Sequence, residues 1–179
     1  MNYKKALRLA LALILTISLF SACGDKEKEI KNEQNINPAL TEAFGEEMIA
    51  SEEENIQKLV SGLEECYKNY EKSKDIDTFA QDVSSAMTPY KGYLEEISAE
   101  LMNLYEDAKA DGNKDKMTQL LTIHSSSIRY IQYENTWSMY KMCLDTNMEP
   151  WQEKDEVEDA LIEYINAISE FFYCKPVAE

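Results

Sequence analysis

From residue 38 onward, apolar residues recur along this chain in steps of three and four. Leu40, Phe44, Met48, Ile56, Leu59, Val60, Leu63, Tyr67 and Tyr70 keep mainly to that spacing, which lines up one face of an α-helix. Pro38 suits a first helical position, and Asn37 suits the cap before it. Ser51-Glu52-Glu53-Glu54 matches a capping box, so the pattern predicts a break near residue 50 and a stronger helix from Ser51. After a polar turn at 72–77, Ile76, Phe79, Val83, Met87, Tyr90, Leu94, Ile97, Leu101, Leu104 and Ala108 continue the helical period without a slip. Pro89 falls inside that run, and proline removes a helical hydrogen bond. Because the apolar phase carries across it, one kinked helix is preferred over two separate ones.

Asp111-Gly112-Asn113 is the clearest loop signal. A third helix is predicted over 115–145. Met117, Leu121, His124, Ile128, Ile131, Asn135 and Met142 form its expected inner face, and Leu120, Ile123, Tyr130, Trp137 and Leu144 form a second stripe. A helix apolar on two sides is either more buried than its neighbours or faces a partner. A break at 146–150 precedes a last helix over 151–173, with Val157, Leu161, Tyr164, Ile165, Ile168, Phe171 and Phe172 inward. No segment shows the period-two alternation of strands. The expected fold is all-α, an antiparallel up-down bundle of three to four long helices spanning residues 38–179. In the three-helix version the first helix docks along one side.

Charge narrows the function classes. The chain carries 34 acidic residues against 18 basic ones, a net charge of −16. Nucleic-acid binding needs basic groups to neutralise phosphates, so it is excluded. An acidic surface is also repelled by anionic lipid. It favours solubility, attracts cations and suits basic partners. Residues 24–37 are polar and almost without large apolar side chains, and read as a flexible tether.

The first 23 residues carry an address. Lys4, Lys5 and Arg8 form a positive start, residues 9–20 form an uncharged apolar run, and Ser21 and Ala22 lead into Cys23. A positive end, a short apolar stretch and small residues read as a secretory signal peptide over residues 1–22. A membrane-spanning helix would need about 20 apolar residues. Leu19-Phe20-Ser21-Ala22-Cys23 resembles the lipobox of bacterial lipoproteins. The family usually has Leu three residues before the Cys; here Phe20 stands there, with Leu19 one residue further out. The resemblance implies cleavage before Cys23 and acylation of its thiol. The acyl chains, of the palmitate type, would hold residues 23–179 on the extracytoplasmic face of the cell membrane, since stable anchoring generally takes two chains.

Catalytic and metal-binding patterns are missing from the sequence. Di-iron bundles use Glu-x-x-His pairs, but the sole histidine, His124, has Leu121 three residues before it. Asp111-x-Asn113-x-Asp115 starts like a calcium loop, which requires Gly at its sixth position and Glu at its twelfth. Lys116 and Thr122 stand there instead. Adjacent acids such as Glu52-Glu53-Glu54 diverge on a helix and do not converge across a cleft. His124 is followed by Ser125-Ser126-Ser127, which point in different directions. It reads as a core histidine, with a general-base or pH-sensing role as the alternative. No metal, no cofactor and no enzymatic activity are expected.

Cysteines and aromatic residues remain. Outside the cytoplasm disulfides are permitted, and Cys66 with Cys143 is the better candidate pair, Cys174 lying at the opposite pole. Three reduced thiols behaving as small hydrophobes is the competing reading. Tyr130, Tyr133, Trp137 and Tyr140 step by three or four along the third helix. That stripe is either core or a surface for a glycan, a groove or a partner helix. The leading functional expectation is a lipid-anchored binding or scaffold module for a protein or cell-wall partner. A small-ligand or cation receptor, with the ligand near His124 and Asn135, is the alternative, and an envelope enzyme a remote third.

Overall fold

The computed structural model describes residues 36–178, which form an all-α helical bundle. The expected signal peptide, Cys23 and nearly all of the tether lie outside the described residues. Six helices follow in order: α1 Pro38–Phe44, α2 Glu46–Ser73, α3 Ile76–Met87, α4 Lys91–Ala110, α5 Lys114–Asp145 and α6 Lys154–Tyr173. No strand occurs among the described residues.

The start of the bundle follows the sequence. The Asn37 side chain accepts the Ala39 N–H at 3.0 Å, and Pro38 opens α1. Asn37 also donates through Nδ2 to the Phe171 carbonyl at 3.0 Å and through its backbone N–H to the Phe172 carbonyl at 2.7 Å. These two bonds pin the entry of the bundle to the end of α6. The break expected near residue 50 falls instead at Gly45, whose φ is +89°. Glycine takes that conformation without a Cβ penalty. Ser51 stays helical and its Oγ donates back to the Met48 carbonyl at 2.7 Å.

α2 ends at Lys74 in the left-handed region, and Asp75 caps α3 by accepting the Asp77 N–H at 3.1 Å and the Thr78 hydroxyl at 2.7 Å. At Pro89 a single 3₁₀ turn, Thr88–Tyr90, joins α3 to α4. The flanking residues Thr88, Tyr90 and Lys91 all keep right-handed helical angles. The chain therefore bends there without reversing. α3 packs chiefly on α2, whereas α4 packs chiefly on α5.

Asn113 caps α5 by accepting the Lys116 N–H at 3.1 Å. The short connections at 74–75 and 111–113 reverse the chain between α2 and α3 and between α4 and α5, as an up-down bundle requires. α6 packs on α5, α2 and α3. It buries Val157, Leu161, Tyr164, Ile165, Ile168, Phe171 and Phe172, as its periodicity predicts. Beyond Cys174 the chain folds back over α6, where buried Asn166 accepts the Val177 and Ala178 N–H groups at 2.9 and 2.8 Å and donates to the Ala178 carbonyl at 3.1 Å.

α5 corrects the sequence reading. Leu121, Ile128, Ile131 and Met142, taken as its inner face, are exposed by 37 to 48%. The core face is the second stripe, with Leu120, Ile123, Tyr130 and Trp137 buried. Both stripes have the helical period, so spacing does not rank them. Burial goes to the stripe with the larger aromatic area, since apolar burial scales with surface.

Candidate functional site

The bend at Pro89 sets α4 against α5 at a different place from where α3 meets α2, and a groove of about 690 Å³ opens along the α3–α4 side of α5. Small side chains keep it open: Ser84, Ser98, Ala99 and Ser138 line it where longer ones would fill it. Its apolar walls are Met87, Leu94 and Met102 on one side and Ile131 and Met142 on the other. This size and mixture of apolar wall with a few polar groups are typical of a small-molecule site.

Three aromatic rings form the floor. Tyr130 and Trp137 come from α5, and Tyr164 reaches in from α6. Tyr164 stands edge-on to both: its centroid is 6.3 Å from Tyr130 at 86° and 5.1 Å from Trp137 at 61°. All three are buried. Trp137 Nε1 is buried with no hydrogen-bond partner among the described residues.

Charge gathers at the mouth. Lys91 pairs with Glu134 at 3.5 Å, and Lys141 pairs with Asp145 at 2.6 Å. Glu95 also lines the groove and makes no ion pair with a described residue. The carboxylates act on the floor. Burial, then Glu134 and Glu95, push the Tyr130 phenol up to about 12. Burial, then Glu134 and Tyr130, likewise raise Tyr164. The groove thus combines apolar walls, aromatic floor and negative field.

The structure distributes the expected site residues unevenly. Tyr130 and Trp137 reach the groove. Tyr140 is buried elsewhere, its hydroxyl donating to Asp77 across the α3–α5 contact. Tyr133 and His124 are half-buried and Asn135 is exposed; none of the three lines the groove. His124 Nδ1 is buried without a hydrogen-bond partner among the described residues. His124 and Asn135 are eleven positions apart, roughly 16 Å along a helix rising 1.5 Å per residue, so they do not form one ligand site. In the aromatic stripe Tyr130, Trp137 and Tyr140 are buried, as the core reading has it, and Tyr133 is half-buried.

The candidate Cys66–Cys143 pair is not bridged: both thiols are free and buried, and Cys174 is free and exposed, as the reading of three reduced thiols has it. α2 packs mainly on α3, with α1 and α6 as its other partners, while α5 packs mainly on α6 and α4. The two cysteines therefore belong to helices that are not principal neighbours. Burial, reinforced by Asp82 and Glu65, pushes the Cys66 thiol up to about 11.

Sequence reading missed Met87, Leu94, Glu95, Glu134 and Tyr164 as groove residues. The available signal was Pro89, a bend inside an unbroken apolar phase, opposite a helix with two apolar stripes. Among the described residues no three His, Cys, Asp or Glu side chains are placed to hold a metal ion, and no helix is long and apolar enough to cross a membrane. No protein-family model, curated protein or solved structure matches this chain.

Proposed function

We infer that this chain is a non-catalytic ligand-binding lipoprotein of the cell envelope. Acylated Cys23 holds it on the extracytoplasmic face of the membrane, residues 24–37 space the bundle from the lipid, and the groove beside α5 takes a small, largely apolar ligand. The observation that carries the reading is the groove itself: about 690 Å³, with Tyr130, Trp137 and Tyr164 as its floor. Scaffolding through the α5 aromatic stripe is less well supported, because Tyr140 is buried away from the groove and Tyr130 and Trp137 are reached only at its floor. Acyl anchoring accords with the acidic surface, which gives the domain no attraction of its own for anionic lipid.

Filling the groove tests the reading. Ala99 lines it and is exposed, so Ala99→Phe fills space without disturbing the core. A thermal-shift screen of amphiphiles and aromatic compounds against the full Cys23→Ser chain should find compounds that raise the melting temperature. The same compounds should leave the Ala99→Phe chain unmoved. Stabilisation of both chains alike, or of neither, would count against the groove as a ligand site.

A further inference from the structure

The groove's polar groups state which ligand charge it accepts. Two ammonium groups line it, and each already faces a carboxylate: Lys91 with Glu134, and Lys141 with Asp145. Glu95 is left over, so the lining carries three carboxylates against two ammonium groups. A ligand anion would find both cations occupied and Glu95 repelling it. A ligand cation would find Glu95 without an ion pair to any described residue. Among the described residues it would also find Glu134 paired with Lys91 alone, whose side chain is 68% exposed, and exposed ion pairs are weak.

Behind the carboxylates lies a second attraction of the same sign. The faces of Tyr130, Trp137 and Tyr164 are electron-rich, and an organic cation within about 6 Å of such a face is held by it. Tyr164 meets both neighbours at steep angles, so the rings of the floor do not lie in one plane. Burial raises the Tyr130 and Tyr164 phenols most, and the Glu134 carboxylate adds to both. Over longer range, the net charge of −16 concentrates cations around the whole molecule.

We propose that the groove binds an organic cation with an apolar body, its ammonium head between Glu95, Glu134 and the aromatic floor. The body lies between Met87 and Leu94 on one wall and Ile131 and Met142 on the other. Thioether and aliphatic walls accept varied apolar shapes, methionine above all. A free cation fits better than a phospholipid headgroup, whose phosphate would meet the same surplus of carboxylates. This proposal rests on the groove being a ligand site and adds the class of ligand.

The test uses three amphiphiles that share one tail: octyltrimethylammonium, octyl glucoside and octanoate, each below its micelle concentration. Trp151 is 66% exposed and Trp137 is the only other tryptophan, so Trp151→Phe in the full Cys23→Ser chain leaves Trp137 as the sole indole reporter. Octyltrimethylammonium should bind about tenfold more tightly than octyl glucoside, and octanoate more weakly than either. Glu95→Gln should draw the cation's affinity toward that of the glucoside and leave the glucoside's unchanged. Glucoside or octanoate binding as tightly as the cation, or a cation affinity indifferent to Glu95→Gln, would overturn the charge preference and leave the groove standing. Silence of the Trp137 signal with all three would overturn the groove as a ligand site, and the proposal with it.

Discussion

Trp137 and Tyr164 meet 5.1 Å apart at 61°, joining α5 to α6 at the floor of the groove. The contact belongs to the core and to the site at once. Trp137 is 4% exposed, whereas Trp151, in the connection between the same two helices, is 66% exposed. Truncating a buried aromatic leaves a cavity, so Trp137→Ala should cost about 3–5 kcal/mol. Trp151→Ala should stay within about 0.5 kcal/mol, as surface changes do. Urea denaturation of the two variants measures the contrast; equal losses would mean that the tryptophans are not placed as described.

Thiol accessibility offers a chemical check of the core. Cys174 is exposed beyond the end of α6, whereas Cys66 and Cys143 are buried and free. The thiolate is the reactive species, and burial holds the Cys66 thiol up to about 11, well away from neutral pH. In the Cys23→Ser chain without reductant, a thiol reagent at pH 8 should label one cysteine quickly and all three after denaturation. Only one label after denaturation would show that Cys66 and Cys143 are joined after all.

Glu52 gives the bundle a pH dependence of definite sign. It is 5% exposed, and its carboxyl is raised from 4.5 by burial, with repulsion from Glu96 adding and the hydrogen bond from Asn55 at 3.0 Å opposing. Glu96 adds a buried oxygen without a hydrogen-bond partner among the described residues. A carboxyl raised on folding binds its proton more tightly in the native state. Its contribution is therefore full below 4.5 and is lost as pH rises through the folded value. Glu52→Gln removes that penalty, so it should be more stable than the parent at pH 7, with the gap closing toward pH 4. Denaturant titrations of both chains at the two pH values test this. A constant gap would mean that the site does not titrate differently in the folded state.

Helix positions were legible in the sequence because their signals are local. Asn37 with Pro38 and the 111–113 loop each mark an end where a backbone group needs a side chain or a special angle. The displaced break at Gly45 shows the limit: Ser51 has the capping pattern, but a residue free to take φ +89° decides where the chain turns. Which face of α5 points inward was not legible, since both stripes repeat at the helical period and only neighbouring helices choose between them. The groove was less legible still. It arises where a bend at Pro89 leaves small residues of α3 and α4 opposite α5, a relationship between elements that no single-segment pattern contains.

Asn37 is where the predicted tether meets the bundle, and it joins both ends of the domain. Its side chain caps α1 through the Ala39 N–H and donates to the Phe171 carbonyl, one helix end holding another 134 positions away. Loss of an N-cap typically costs about 1 kcal/mol, and the bond to Phe171 adds roughly 0.5–1.5 kcal/mol. Asn37→Ala should therefore destabilise the bundle by about 1.5–2.5 kcal/mol. Asn37→Ser keeps a capping oxygen for Ala39 and removes the donor to Phe171, so it should recover about the 1 kcal/mol of the cap. Hydrogen exchange locates the effect: the amides of α1 should open first in both variants, and those of α5 should keep their protection. If the two substitutions cost the same, the bond to Phe171 carries the whole effect and the cap contributes nothing.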